Sequence, residues 1–159
     1  MNNNKISEHI TLTEAIRSDT AVKNGIDNIP DKDSLKRMKL VAEKVFEPLR
    51  NYYNCSIYIS SFFRCDKLNK IIGGSKSSQH SLGEAIDVDA DVLGGVTNYQ
   101  IFNYIKDNLD FDQLISEFPD EEGEPCWVHF SYKKEGNRNE VWVSENNYSE
   151  VFYRLISRK

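Results

Sequence analysis

Ser78-Gln79-His80-Ser81-Leu82-Gly83-Glu84-Ala85-Ile86-Asp87 is the most informative stretch of this chain, and Trp127-Val128-His129 completes it further on. Of the three histidines in the sequence, two fall in these segments. Two imidazoles and one carboxylate are the protein half of an open zinc site, with the fourth position left for water or substrate. Neutral imidazole is also the commonest metal-ligating side chain. Residues 85–89 alternate as a strand does, which puts Ala85, Asp87 and Asp89 on one face. Ala85 is small and leaves room beside a metal, whereas Asp89 reads as a solvent-facing carboxylate rather than an extra ligand.

Outward from this motif the periodicities alternate between helix and strand. Thr11-Leu12-Thr13-Glu14 has the form of a capping box and opens a helix toward Val22, which Asn24-Gly25 ends. After the break at Ile29-Pro30-Asp31, Asp33 is expected to cap a second helix. Its stripe of Leu35, Met38, Val41, Ala42, Val45, Phe46 and Leu49 marks core packing, and Pro48 is expected to kink or shorten it. Residues 56–60 read as a strand. Residues 68–72 form a helical turn stopped by Gly73-Gly74, and a polar loop then delivers His80. Residues 97–108 read as a helix with Ile101, Phe102 and Ile105 inward. Strands are expected at 111–118 and 126–132, separated by an acidic loop at 119–125. Gly136-Asn137 turns the chain into a strand around Val141-Trp142-Val143, and residues 149–159 are expected to form a short amphipathic helix. The class is α+β: helices packed on a small, mainly antiparallel sheet that carries the metal.

Composition narrows the function classes. A chain of 159 residues with 39% hydrophobic and 28% charged residues is expected to fold as one domain, 1–159, around one core. A net charge of −5 argues against a broad nucleic-acid-binding face. Nothing approaches membrane-spanning length, and Met1-Asn2-Asn3-Asn4-Lys5 leads into no apolar leader segment. Cys55, Cys65 and Cys126 make an odd count without a disulfide framework and read as free thiols. Cys126, three before His129, is the one that could serve as a soft ligand, although His80 and Asp87 already supply a harder set. His9 lies outside every chemical motif and reads as structural.

The pattern S-x-H-x-x-G-x-A-x-D followed by W-x-H resembles the zinc D-Ala-D-Ala carboxypeptidases and L-alanyl-D-glutamate endopeptidases, which cut peptidoglycan stem peptides. Upstream, Ser60-Ser61-Phe62-Phe63-Arg64-Cys65 with Leu68-Asn69 and Gly73-Gly74 resembles that family's S-G-Y-R-S…L-N…G-G segment. The likeness begins near Ile6-Ser7-Glu8-His9 and runs to about Tyr132, leaving 133–159 as the expected strand and short helix. It is closest to the compact form often encoded by phages. The resemblance implies the fold shared with the hedgehog signalling domain, and one Zn2+ ion held by His80, Asp87 and His129. A water on that ion, with its pKa drawn down toward ~7, would be the nucleophile.

Two glutamates compete for the role of general base. The resemblance favours Glu117, on the strand before W-x-H; Glu124 is nearer His129, and the acidic loop lengthens the connection beyond the usual spacing. Arg64 carries a fork of donors suited to a substrate carboxylate or a developing oxyanion. Ser78 can donate a hydrogen bond to substrate or stabilise its turn. Trp127 is expected to pack beneath the site, and Gln79 has no assignable role. A two-histidine, one-carboxylate set also suits non-haem iron, but the surrounding pattern and the missing double-sheet signature argue against an oxygenase.

The expected reaction is zinc-dependent hydrolysis of a stem-peptide amide bond, with endolysin-type endopeptidase cleavage preferred over D,D-carboxypeptidase release of D-alanine. The competing class is a non-catalytic wall-binding or virion structural protein that keeps zinc for stability. A monomer is expected, made in the cytoplasm and reaching the cell wall or periplasm after lysis or as part of a virion.

Overall fold

Short polar caps divide the N-terminal third into helices. In the computed structural model, which describes residues 4–147 and 150–158, Leu12–Ala15 (α1) is capped by the Thr11 hydroxyl, which accepts from the Glu14 amide at 3.2 Å. The helix expected to run on toward Val22 stops there. Ser18 starts a second helix, Asp19–Lys23 (α2), by accepting from the Ala21 amide. Two competing N-caps in one short window outweigh apolar spacing. Lys32–Val41 (α3) is capped by Asp31, whose carboxylate accepts from the Ser34 amide at 2.7 Å. The expected cap, Asp33, lies inside the helix and pairs with Lys36.

Pro48 neither ends nor visibly shortens this helix. The chain passes through a π-helical turn at Ala42–Phe46 and continues as Glu47–Tyr53 (α4), with Pro48 in the first turn of the new segment. Switching the bonding pattern before the proline absorbs its missing donor. Met38, Val41, Ala42, Val45, Phe46 and Leu49 are all buried, so the stripe is core as expected.

The remaining elements follow as Tyr58–Ser61 (β1), Asp66–Ile71 (α5), Gln79–Leu82 (α6), Ala85–Asp89 (β2), Asn98–Asn108 (α7), Gln113–Glu117 (β3), Trp127–Ser131 (β4), Glu140–Asn147 (β5) and Glu150–Arg158 (β6). Thr97 and Gln100 close a reciprocal capping box on α7. The six strands form one sheet in the order β1-β2-β4-β3-β5-β6. All neighbours are antiparallel except β3 and β5, which run parallel. The fold is therefore α+β, as the sequence leads one to expect. One continuous core reaches from Ile6 through the α3–α4 stripe to Phe130 and Val141.

The C-terminal segment departs from expectation. Residues 150–158 of the expected 149–159 helix form β6, antiparallel to β5, with Trp142 opposite Leu155 and Ser144 opposite Tyr153. Ser149 and Lys159 lie outside the described residues. Val151, Phe152, Tyr153 and Ile156 are strand formers, and the open edge of β5 decides between two readings of the same apolar pattern.

Asp112, just before β3, is a fully buried carboxylate that joins three parts of the chain. It accepts from Gln79 Nε2 at 2.9 Å, from the backbone and guanidinium of Arg138, and pairs with Lys133 Nζ at 3.1 Å. Burial pushes its carboxyl up, but the hydrogen bonds from Arg138 and Lys133 outweigh this and hold it below the usual range. A carboxyl lowered in the folded state stabilises fully above its unfolded pKa of ~3.9, and that contribution is lost as pH falls through the folded value. Asp112→Asn is expected to lose roughly 1.5–3 kcal/mol at neutral pH. In urea unfolding, the gap from wild type should shrink as pH falls below ~4. An equal gap at both pH values would count against the ion-paired role.

Candidate metal centre

The glycine of the H-x-x-G-x-A-x-D motif explains how His80 is aimed. Gly83 ends the single turn of α6 with a left-handed φ of 76°. A Cβ there would lie 2.7 Å from the Ser34 carbonyl and 2.8 Å from Met38 Cγ, so a bare residue lets α6 sit hard against α3. The chain then enters β2, where alternation turns Ala85 and Asp87 to one face. Asp87 is the direct cross-strand partner of His129 on β4, and His129 in turn faces Ile115 on β3.

Three ligand-type atoms converge as a result. Asp87 Oδ1 is 2.8 Å from His129 Nδ1 and 3.1 Å from His80 Nε2, and the two ring nitrogens are 3.2 Å apart. All three residues are buried. His80 Nδ1 lies 2.7 Å from the Phe62 carbonyl. A carbonyl only accepts, so Nδ1 carries the hydrogen and the Nε2 lone pair faces the other two groups. Burial pushes His80 down, toward the neutral form a metal requires, against the pull of Asp87. Burial would raise Asp87, but the two imidazoles outweigh it and keep the carboxylate ionised.

This set fits zinc. Four ligands at ~2.0–2.2 Å in a tetrahedron stand roughly 3.3–3.6 Å from one another, a few tenths of an ångström wider than the 2.8–3.2 Å between these atoms. Asp87, His80 and His129 are a cluster that can hold one ion. Cys126 is exposed and outside it, and Asp89 is engaged by Asn98 Nδ2 at 3.1 Å. Glu8, His9 and Glu47 also approach one another. There, both Glu47 oxygens are taken by the His9 amide and ring, which clasps the N-terminal segment to α4.

A cleft of about 560 Å³ opens over the three residues, and Arg64, Ser78, Glu117 and Trp127 line it. A model of the family described as Peptidase M15 matches residues 8–119. The chain belongs to the M15 peptidases. These are the zinc D-Ala-D-Ala carboxypeptidase family, zinc-dependent metallopeptidases that act on peptidoglycan. A search of curated proteins finds no match to the chain. The M15 match takes in Arg64, Ser78, His80, Asp87 and Glu117 and stops where the acidic loop begins, so His129 lies beyond it.

Arg64 sits differently from a free substrate clamp. Its Nη2 donates to Asp87 Oδ2 at 2.6 Å and its Nε to the Ser61 hydroxyl, so it orients Asp87 while lining the M15 cleft. Glu117 is buried, and burial pushes its carboxyl up against the hydrogen bond of Ser144. Its Oε2 has no hydrogen-bond partner among the described residues. Glu124 lies elsewhere: its Oε1 accepts from the Tyr99 amide at 2.7 Å, at the start of α7. Trp127 does not pack beneath the site as expected. It is half-buried, lines the cleft and stacks obliquely on Phe118 at 5.2 Å.

Sequence reasoning missed Gln79 and Tyr153. Gln79 ties α6 to Asp112, and Tyr153 reaches the cleft from β6. No local pattern marks either, because both depend on pairing between distant segments. His80→Ala, Asp87→Ala and His129→Ala are each expected to abolish zinc retention after desalting, read by elemental analysis. Cys126→Ser should retain zinc at the wild-type ratio; loss there would bring the thiol into the ligand set.

Proposed function

We propose that this M15 peptidase hydrolyses an amide bond within peptidoglycan stem peptides, as an endopeptidase of the endolysin type. The choice of endopeptidase follows the short, single-domain format, which is like that of the compact phage-encoded form. In this reading the enzyme meets its substrate at the wall, after lysis or as a virion component. The observation that carries the catalytic reading is Glu117: a buried carboxylate with an oxygen that has no partner among the described residues, in the cleft that also holds His80, Asp87 and His129. A purely structural metal site has no use for such a group, since an unsatisfied buried polar atom costs about 1–3 kcal/mol.

His80, Asp87 and His129 are the residues that would hold zinc. When bound, zinc supplies a Lewis acid for the scissile carbonyl and makes water acidic enough to attack near neutral pH. The chain's own groups do the rest. Phe62 fixes the tautomer of His80, and Arg64 fixes the Asp87 carboxylate. Glu117 accepts the proton of the attacking water and returns it to the leaving amine nitrogen. Burial suits both halves, because it makes the carboxylate a stronger base than an exposed one. Arg64, with five donors of which two are engaged in these bonds, stabilises negative charge as it builds on the substrate. Ser78, in the wall of the cleft, is assigned to hold the peptide.

The test is mass spectrometry of products released from purified peptidoglycan by the zinc-loaded protein, with a chelator control. New chelator-sensitive termini are expected, and their identity separates endopeptidase cleavage from D-alanine release. Glu117→Gln should keep zinc and lose at least ~100-fold in kcat. Folded, zinc-loaded protein that releases nothing from several wall types would instead establish the non-catalytic wall-binding or virion structural reading.

A further inference from the structure

The C-terminal hairpin brings a side chain to the cleft from beyond residues 8–119, the segment that the M15 family model matches. Glu117 faces Trp127 across the β3–β4 pair, and the parallel register of Ser116 with Val143 sets Glu117 beside Ser144. Ser144 pairs with Tyr153. The row that crosses the sheet next to Asp87, His129 and Ile115 therefore runs Trp127, Glu117, Ser144, Tyr153. Tyr153 and its neighbour Val151 form part of the cleft wall. With Ile115, Gln113 and Trp142, Tyr153 also lines an adjoining apolar hollow of about 240 Å³.

Tyr153 has the chemistry of a contact residue awaiting a partner. It is about half exposed, at 52%, and Val151 and Leu155 on the same face of β6 are exposed as well. Large apolar groups gathered at the rim of a polar site mark a binding surface. No hydrogen bond to its hydroxyl forms among the described residues. A tyrosine buries a large rigid ring at small entropic loss and keeps a donor for a polar atom of the ligand. The polar loop residues Gly74, Ser75 and Ser78 stand in the wall of the same cleft.

We propose that Tyr153 is a substrate-contacting residue whose ring packs on the peptide held in the cleft and whose hydroxyl donates a hydrogen bond to a carbonyl or carboxylate of that peptide. The inference rests on the reading of the cleft as a stem-peptide site. It makes the hairpin of β5 and β6 a specificity element of the cleft.

The experiment compares the full-length, zinc-loaded wild type with Tyr153→Phe and Tyr153→Ala on soluble stem peptides. It measures kcat and KM separately. Binding of the same peptides is measured by calorimetry in a Glu117→Gln background, where no turnover interferes. Tyr153→Ala is expected to raise both KM and Kd about tenfold with little change in kcat, zinc content or melting temperature, and Tyr153→Phe to fall between it and wild type. Unchanged KM and Kd in both variants would overturn the proposal, as would a fall in kcat alone. If Tyr153→Ala melts early, Tyr153→Phe decides by itself: wild-type KM and Kd would remove the hydroxyl contact. Wild type that binds stem peptides without cutting them refutes the peptidase reading while Tyr153 remains tested by Kd. Wild type that neither binds nor cuts refutes both.

Discussion

The burial of the Asp87 carboxylate is the constraint on which the rest of the structure depends. A charge removed from water is tolerated only when its oxygens are satisfied, and each unpaired ion costs several kcal/mol. Asp87 meets this demand from three directions: His129 across the β2–β4 pair, His80 on a helical turn held against α3, and Arg64 after β1. Each supporting element must be in register for the contacts to form. The same arrangement leaves two ring nitrogens and one oxygen facing a common point. Folding and metal chemistry thus impose one requirement on one residue.

Legibility in the sequence follows the range of the interaction. The α3–α4 stripe and the strands at 85–89, 113–117 and 127–131 follow from local periodicity, and the structure forms them close to where that periodicity puts them. The motif around His80 is legible in part because its glycine has a steric cause: Gly83 lies hard against Ser34 and Met38. Gly74 is similar: a Cβ there would run into the Asn69 side chain, whose Nδ2 holds the Ser75 carbonyl. What escaped reading is set by partners far along the chain. The Gln79–Asp112 bond, the role of Arg64 in holding Asp87, and the strand at 150–158 each need a second segment to define them. Phe118 adds a further case. Its left-handed φ of 47° turns the chain out of β3 beside the cleft, a conformation that no sequence signal for a bulky residue announces.

The division of labour among the glutamates also comes from tertiary context. Glu117 and Glu124 are chemically identical and close in sequence. One is enclosed by β3, β4 and β5 with an oxygen left unpaired among the described residues; the other bonds at the first turn of α7, where a carboxylate is favoured by the helix N-terminus. Environment alone separates an enclosed carboxylate from one bonded at a helix start.

The parallel pairing of β3 with β5 has a consequence for how the protein is made. β4 must leave β3, pair on its other side with β2, and let a later segment return to cover the remaining edge of β3. Until that segment has emerged from the ribosome, β3 presents a bare row of amide and carbonyl groups next to the forming site. Nascent chains would carry a sticky edge through that interval. The edge closes only when the last-made hairpin docks, which leaves β6 as the outermost strand on this side of the sheet.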